Sequence, residues 1–407
     1  MKRFINRRDF TLGATAGVLA TTVPLRRARA QAAPLKIGVL LPRSGIQAFL
    51  GQGSQRGFDV GVKIVRDMGV GVELMNADTE SKADIARTQA EKLIRDGAHV
   101  ISGCFDSGQT AAAAQVCEQH GVPFVINIGA DPAITEQGYK FVFRNFPTSI
   151  MLGSGSLKLI GDIFNATRTA PKTAVLMIIN DTFGQGMLRG LNALLPKAGL
   201  PFEIVETVSY DPQAKDLSVE VAQAKAAKAD VHLAVTRLND AILMVREMVK
   251  QRYEPMGVIS PGAPGFYERQ FIKVLGKYAE FNYSINAWMD PTQELTKVLE
   301  TAFYKDFPDQ SFDLNIGFGC EAVLIAADAY KRAGSSEPRA LVEALRATEL
   351  SKRVMVGGPI RFNEKGQNVD TGMAALQIRG QKPTVVLPEA SAQAAPVFPV
   401  PGWSQRG

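Results

Sequence analysis

AHVISGCFDSGQTAAAAQVCEQHGVPFVINIGAD, residues 98–131, reads as strand, small-residue turn, helix, strand and turn. Residues 99–102 and 123–128 are mainly apolar runs, whereas 109–119 are Ala-rich, so the period changes from strand to helix and back. Both turns then open at the same end of a parallel sheet, the carboxyl edge where ligands bind in open α/β folds. The first turn, 103–108, leads into Ser107, Gly108, Gln109 and Thr110, whose hydroxyls and unpaired N–H groups at a helix start favour an anion. An ordinary helix cap in a βαβ unit explains the same residues.

Outward from this unit the alternation continues. Residues 35–41 (LKIGVLL) form a buried strand, 42–53 a long turn, 54–68 a helix with Phe58, Val62 and Val65 on one face, 70–77 a strand and 82–96 a helix. The pattern breaks at 139–148 and a second series begins, with strands at 173–180, 202–208, 230–236 and 256–260 separated by helices at 185–196, 216–228 and 239–251. Strands alternating with helices imply parallel sheets covered on both faces. A chain of 407 residues is long for one core. The expected fold is therefore α/β with two doubly wound parallel-sheet lobes joined by a multi-crossing hinge. The first lobe comprises 35–147 plus about 286–355 and the second 148–285 plus about 356–388, with 389–407 as a loose tail. Two such lobes face each other across a cleft that closes on a ligand.

The formal charge of +6 suggests nucleic acid, but its distribution excludes that class. Residues 1–30 hold seven of the basic residues against one acid, Asp9, and the rest of the chain is balanced. That N-terminus has the paired Arg7 and Arg8 of a twin-Arg leader, a short apolar run at 13–23 and Ala28-Arg29-Ala30 as a cleavage site. The apolar run is too short to span a bilayer, and no cysteine follows the cut to carry a lipid. A soluble periplasmic product is expected.

Other chemistry finds little support. Gly51, Gly53 and Gly57 have the wrong spacing and lie too far beyond the strand for a dinucleotide turn. His99, His120 and His232 adjoin no serine nucleophile and no cysteine in ligand spacing, so neither a hydrolase triad nor a metal site is indicated. No cofactor is expected. Cys104, Cys117 and Cys320 are too few for a disulfide framework; Cys104 and Cys117 flank one helix and could pair, but buried free thiols are expected.

The leader, KIGVLLPRSG (36–45), SGCFDSGQT (102–110), GVPFVINIGADPAIT (121–135), FVFRNFP (141–147) and NDTFGQG (180–186) together resemble the substrate-binding proteins of ABC transporters for branched-chain amino acids and related compounds. The similarity runs from about residue 35 to 378 and implies the type I periplasmic-binding fold, a small-molecule ligand, an inner-membrane ABC permease as partner, a monomer and no catalysis. It implies that Ser107, with Gln109 and Thr110 beside it, holds the ligand carboxylate. A carbonyl and a threonine of the family fall on Ala130 and Asp131, an aromatic on Phe183, a second aromatic on Arg237 and Leu238, and a tryptophan near Phe49 and Leu50.

The family's acid for the ligand ammonium should follow the strand ending at Ser260, where this chain has Pro261-Gly262-Ala263. Either Asp131 or Asp106 supplies that charge, or the ligand is an aromatic or aliphatic acid without an ammonium group. Arg237 either pairs with a carboxylate or points to solvent beside Asp240. A periplasmic hydrolase on the same scaffold and a sensor subunit are the readings from other classes.

Overall fold

The computed structural model describes residues 33–406. The twin-Arg leader and its cleavage site lie outside the described residues. From Leu35 the chain runs β1 (Leu35–Leu41), α1 (Ala48–Asp67), β2 (Val72–Asp78), α2 (Ala83–Arg95), β3 (Val100–Gly103), α3 (Ser107–His120), β4 (Phe124–Ile126) and β5 (Val142–Arg144). It continues through α4 (Ser149–Thr167), β6 (Thr173–Ile179), α5 (Thr182–Leu194), β7 (Glu203–Tyr210), α6 (Ser218–Ala226), β8 (Val231–Val235), α7 (Leu238–Lys250), β9 (Gly257–Pro261), α8 (Arg269–Leu275) and β10 (Tyr283–Asn286). Then come α9 (Glu294–Asp306), α10 (Leu314–Ala333), α11 (Pro338–Arg346), β11 (Ala374–Arg379) and β12 (Lys382–Leu387). Among the described residues no helix is long and apolar enough to cross a membrane.

These strands form two sheets. The first is parallel, in the order β2-β1-β3-β4-β5. The second has the order β12-β11-β10-β9-β8-β6-β7, parallel from β7 to β10 and antiparallel at β11 and β12. Strand order reverses at β1/β3 in one sheet and at β6/β8 in the other, and at such switch points the loops leaving the carboxyl ends diverge and leave a crevice. The turn after β3 is sharp because Gly103 takes φ +113, where a Cβ would lie 2.3 Å from the Leu40 carbonyl oxygen.

Several expectations need correction. Helix α1 begins at Ala48, not at 54, so Phe49 and Leu50 lie on its first turn and not in a long loop. Of the glycines that superficially suit a nucleotide turn, Gly51 abuts the Pro42 carbonyl and Gly57 serves helix packing. A Cβ on Gly57 would fall 2.3 Å from the Ile316 carbonyl oxygen, and one on Gly319 2.6 Å from that of Ser54, so α1 and α10 approach backbone to backbone. The third passage between sheets comes later than 356. Ile360 bridges Leu350 and Gln367 bridges Arg144, which keeps this stretch on the first sheet until about residue 370.

The tail is not loose. Phe398 packs on Phe164 at 5.0 Å, the buried Trp403 donates Nε1–H to the Tyr253 carbonyl (2.8 Å), and Arg406 donates to the carbonyl of Glu280 (2.9 Å). Two large apolar side chains in an Ala/Pro-rich segment suffice to anchor it. Cys104, Cys117 and Cys320 are buried free thiols, and burial raises the pKa of each.

One buried carboxylate ties the passages between sheets together. Glu321 of α10, with no exposed surface, accepts from Asn145 (2.7 Å), from Arg353 Nε (3.2 Å) and from the N–H groups of Val354 and Met355 (2.8 and 2.9 Å). Asn145 in turn accepts from Asn368 (2.9 Å). Asn145 at the first passage and residues 353–355 thus meet on one anion, satisfied by charge-assisted hydrogen bonds, and Asn368 joins them through Asn145. Glu321→Ala should lower the unfolding free energy by about 3–5 kcal/mol, because it leaves Arg353 buried and unpaired. Denaturant titration checks this, and a loss below about 1 kcal/mol would contradict it.

Candidate ligand-binding site

The loops leaving the two switch points meet. From the first sheet come Gln47 before α1 and Asp106 after β3; from the second come Asp181 after β6 and Arg237 after β8. Asp106 caps α3, its Oδ1 accepting from the N–H groups of Gly108 (2.8 Å) and Gln109 (3.3 Å). Its Oδ2 accepts from Gln47 Nε2 (3.2 Å) and from Arg237 Nη2 (2.7 Å). Arg237 also donates to Asp181 Oδ2 through Nε (3.0 Å) and Nη2 (2.6 Å), and its guanidinium lies 5.2 Å from the ring centroid of Phe183.

Arg237 is 8% exposed, so its side chain does not point to solvent beside Asp240. Only its main-chain N–H bonds Asp240 (2.9 Å), a carboxylate that also accepts from Tyr210. Burial by itself lowers the pKa of Arg237, but the carboxylates of Asp181 and Asp106 outweigh that and raise it. A charged guanidinium is therefore fixed between the lobes.

Against this ion triad lies a cavity of about 30 Å³ lined from both lobes. Phe105, Ser107, Ile128, Ala130, Phe146 and Leu314 face Phe183, Arg237, Gly262, Pro264, Tyr267 and Asn286. No side chain of this lining is a carboxylate, a histidine or a cysteine. On the other side of Arg237 is a second recess of about 80 Å³, which Phe49, Leu50, Asp181, Leu238 and Asp240 help to line. Arg237 thus borders both.

The residues singled out by sequence fall into three groups. Ser107, Ala130, Phe183 and Arg237 share the cavity, whereas Phe49, Leu50 and Leu238 border the outer recess. The rest are engaged elsewhere. Thr110 is fully buried and donates its hydroxyl to the Asp106 carbonyl (2.6 Å). Gln109 bonds Gln47 (2.9 Å) and accepts from Thr79. The N–H groups expected to receive an anion at the start of α3 are those taken by Asp106.

The carbonyl of Ala130 accepts from the N–H of Ser149 (2.6 Å). Asp131 caps the turn after it through Ala133 N–H (3.0 Å) and meets Arg189 at 3.4 Å. Its loop is pinned by the buried Arg144, which donates to the carbonyls of Gly129 (2.9 Å) and Asp131 (2.7 Å); burial lowers the pKa of Arg144 to about 9.

Sequence reading missed Phe105, Ile128, Phe146, Gly262, Pro264, Tyr267, Asn286 and Leu314. Their shared signal is position: most follow the carboxyl end of a strand, and beyond Pro261-Gly262-Ala263, where an acid was expected, the informative group is the ring of Tyr267.

The sequence profile of the periplasmic binding protein family matches residues 34–383. The chain belongs to that family. A curated relative of this periplasmic binding protein, Leu/Ile/Val-binding protein homolog 8 of Brucella suis, is 25% identical, over 94% of this chain and 96% of its own. Two solved structures share the fold at TM-score 0.75 and 19% identity. One is the branched-chain amino acid transporter substrate binding protein of Streptococcus pneumoniae in complex with isoleucine, matching 88% of this chain and 100% of that one. The other is an ABC transporter solute binding protein of R. palustris in complex with benzoate, matching 89% and 98%.

Beside the cavity liners Tyr267 and Leu314 sit two buried carboxyls, Glu268 at the start of α8 and Asp313 capping α10. Burial raises the pKa of Asp313 from the ordinary 3.8 to about 6. Burial, then the charge of Asp313, pushes Glu268 well up, against the opposing pull of hydrogen bonds from Asn315 and Tyr267. Both groups bind protons more tightly folded than unfolded. The stabilisation from Asp313 is complete below the unfolded carboxyl value and is lost as pH rises through about 6. Melting temperature should fall less steeply over this window in Asp313→Asn than in the parent; equal slopes would contradict the assignment.

Proposed function

We propose that this periplasmic binding protein is the solute-binding component of an ABC importer and that its solute is a small aromatic monocarboxylic acid without an ammonium group. The observation that carries the reading is the cavity lining, which offers a guanidinium, Ser107 and Asn286 among aromatic and aliphatic walls but no carboxylate. An amino acid needs a partner for each of its charges, since an unpaired buried ion costs several kcal/mol. An aromatic acid needs one cation and an apolar slot. In this reading Arg237 and Ser107 take the carboxylate, and Phe105, Phe146, Phe183 and Tyr267 surround the ring.

Ligand pockets of small molecules run to roughly 300–1,000 Å³, so a cavity of about 30 Å³ admits such a solute only if the lobes part. In this reading the hinge opens to admit the solute, closes on it, and the loaded protein delivers it to an inner-membrane permease. The leader supports export to the periplasm by the twin-Arg route.

A thermal-shift and calorimetry screen of the mature chain against benzoate, hydroxybenzoates, leucine and isoleucine tests this. Benzoate-type acids should raise the melting temperature, the amino acids should not, and Arg237→Ala should weaken acid binding about 10- to 100-fold. Binding of leucine that Asp131→Asn abolishes would assign the site to amino acids and overturn the reading.

A further inference from the structure

Two ion pairs of the described residues join the lobes across the cleft. Arg189 to Asp131 is long, 3.4 Å, and the arginine side chain is 63% exposed, so water screens it and it contributes little. Arg237 to Asp106 is 2.7 Å with both side chains largely buried. The Asp106 carboxylate there receives two N–H groups of the α3 terminus, an amide and a guanidinium. That donor set is what a captured carboxylate requires.

We propose that Asp106 is a resident substitute for the solute's carboxylate: it latches the lobes together through Arg237, and an incoming acid must displace it from that guanidinium. The proposal deepens the aromatic-acid reading and rests on it for the identity of the competitor. Because Arg237 borders both the 30 Å³ cavity and the 80 Å³ outer recess, the latch also forms the partition between them. Breaking it opens one continuous space. Asp106 thereby sets specificity: a carboxylate compensates Arg237 for the lost partner, whereas a neutral aromatic of the same shape leaves the guanidinium short of one.

Asp106 stays with α3 as the lobes separate, since its Oδ1 bonds lie within its own turn, and Asp181 stays with Arg237 on the second lobe. Of the Asp106 hydrogen bonds, only the one from Arg237 to Oδ2 crosses the cleft. Removing the Asp106 charge should therefore unlatch the lobes without disturbing either one. Asp106→Asn keeps a capping oxygen, as does Asp106→Ser, which serves as the second variant should the first fold poorly.

Small-angle scattering of the mature chain without solute should show a larger radius of gyration in either variant than in the parent. If the open form is about a tenth of the parent population, benzoate should bind the variants about tenfold more tightly. Variants as compact as the parent would overturn the latch. Weaker or equal benzoate binding in an expanded variant would overturn the competition. If neither parent nor variant bound any aromatic acid, the solute reading would fail, while the scattering comparison would still decide the latch.

Discussion

A guanidinium taken out of water between two halves of a protein is the constraint on which this structure turns. Arg237 is buried, charged and held by Asp181 on its own lobe and Asp106 on the other. Desolvating such a group costs several kcal/mol unless each face finds an acceptor. Closure of the lobes therefore has to bring Asp106, or an equivalent anion, to Arg237. The apolar walls add area, but a stack of aromatic rings has no preference for acids over neutral solutes. The charge supplies that preference.

The fold exists to bring that contact about. In each sheet the strand order reverses, and the two loops that part at each reversal carry the four residues of the cross-cleft network: Gln47 and Asp106 from one, Asp181 and Arg237 from the other. Beside the passages between sheets, Glu321 gathers Asn145 and the 353–355 segment. Latch and hinge are both buried ionic clusters. The hinge cluster joins segments that stay together, and the latch joins segments that separate.

The βαβ alternation made the α/β class and the two lobes readable, because apolar runs and Ala-rich amphipathic stretches have different periods. What the alternation cannot carry is the destination of a side chain that satisfies its own backbone. Asp106 was legible as an acid for a ligand ammonium, and its carboxylate instead accepts the N–H groups of Gly108 and Gln109 at the start of its own helix. Thr110, Gln109 and the carbonyl of Ala130 were plausible ligand contacts by position, and the structure gives each an internal partner. The close helix pair α1/α10 was invisible for a related reason. Gly57 was legible as a glycine, but Ile316 and Gly319, against which it packs, stand far along the chain. Phe398 and Trp403 were hidden in the tail by the alanines and prolines around them.

The most direct measurement is a crystal structure of the mature chain with a bound aromatic acid. The account predicts the solute carboxylate at hydrogen-bond distance from the Arg237 guanidinium and Ser107, with Asp106 withdrawn from that arginine and Asp181 still on it. A solute whose carboxylate sits elsewhere while Arg237 remains paired with Asp106 would contradict it.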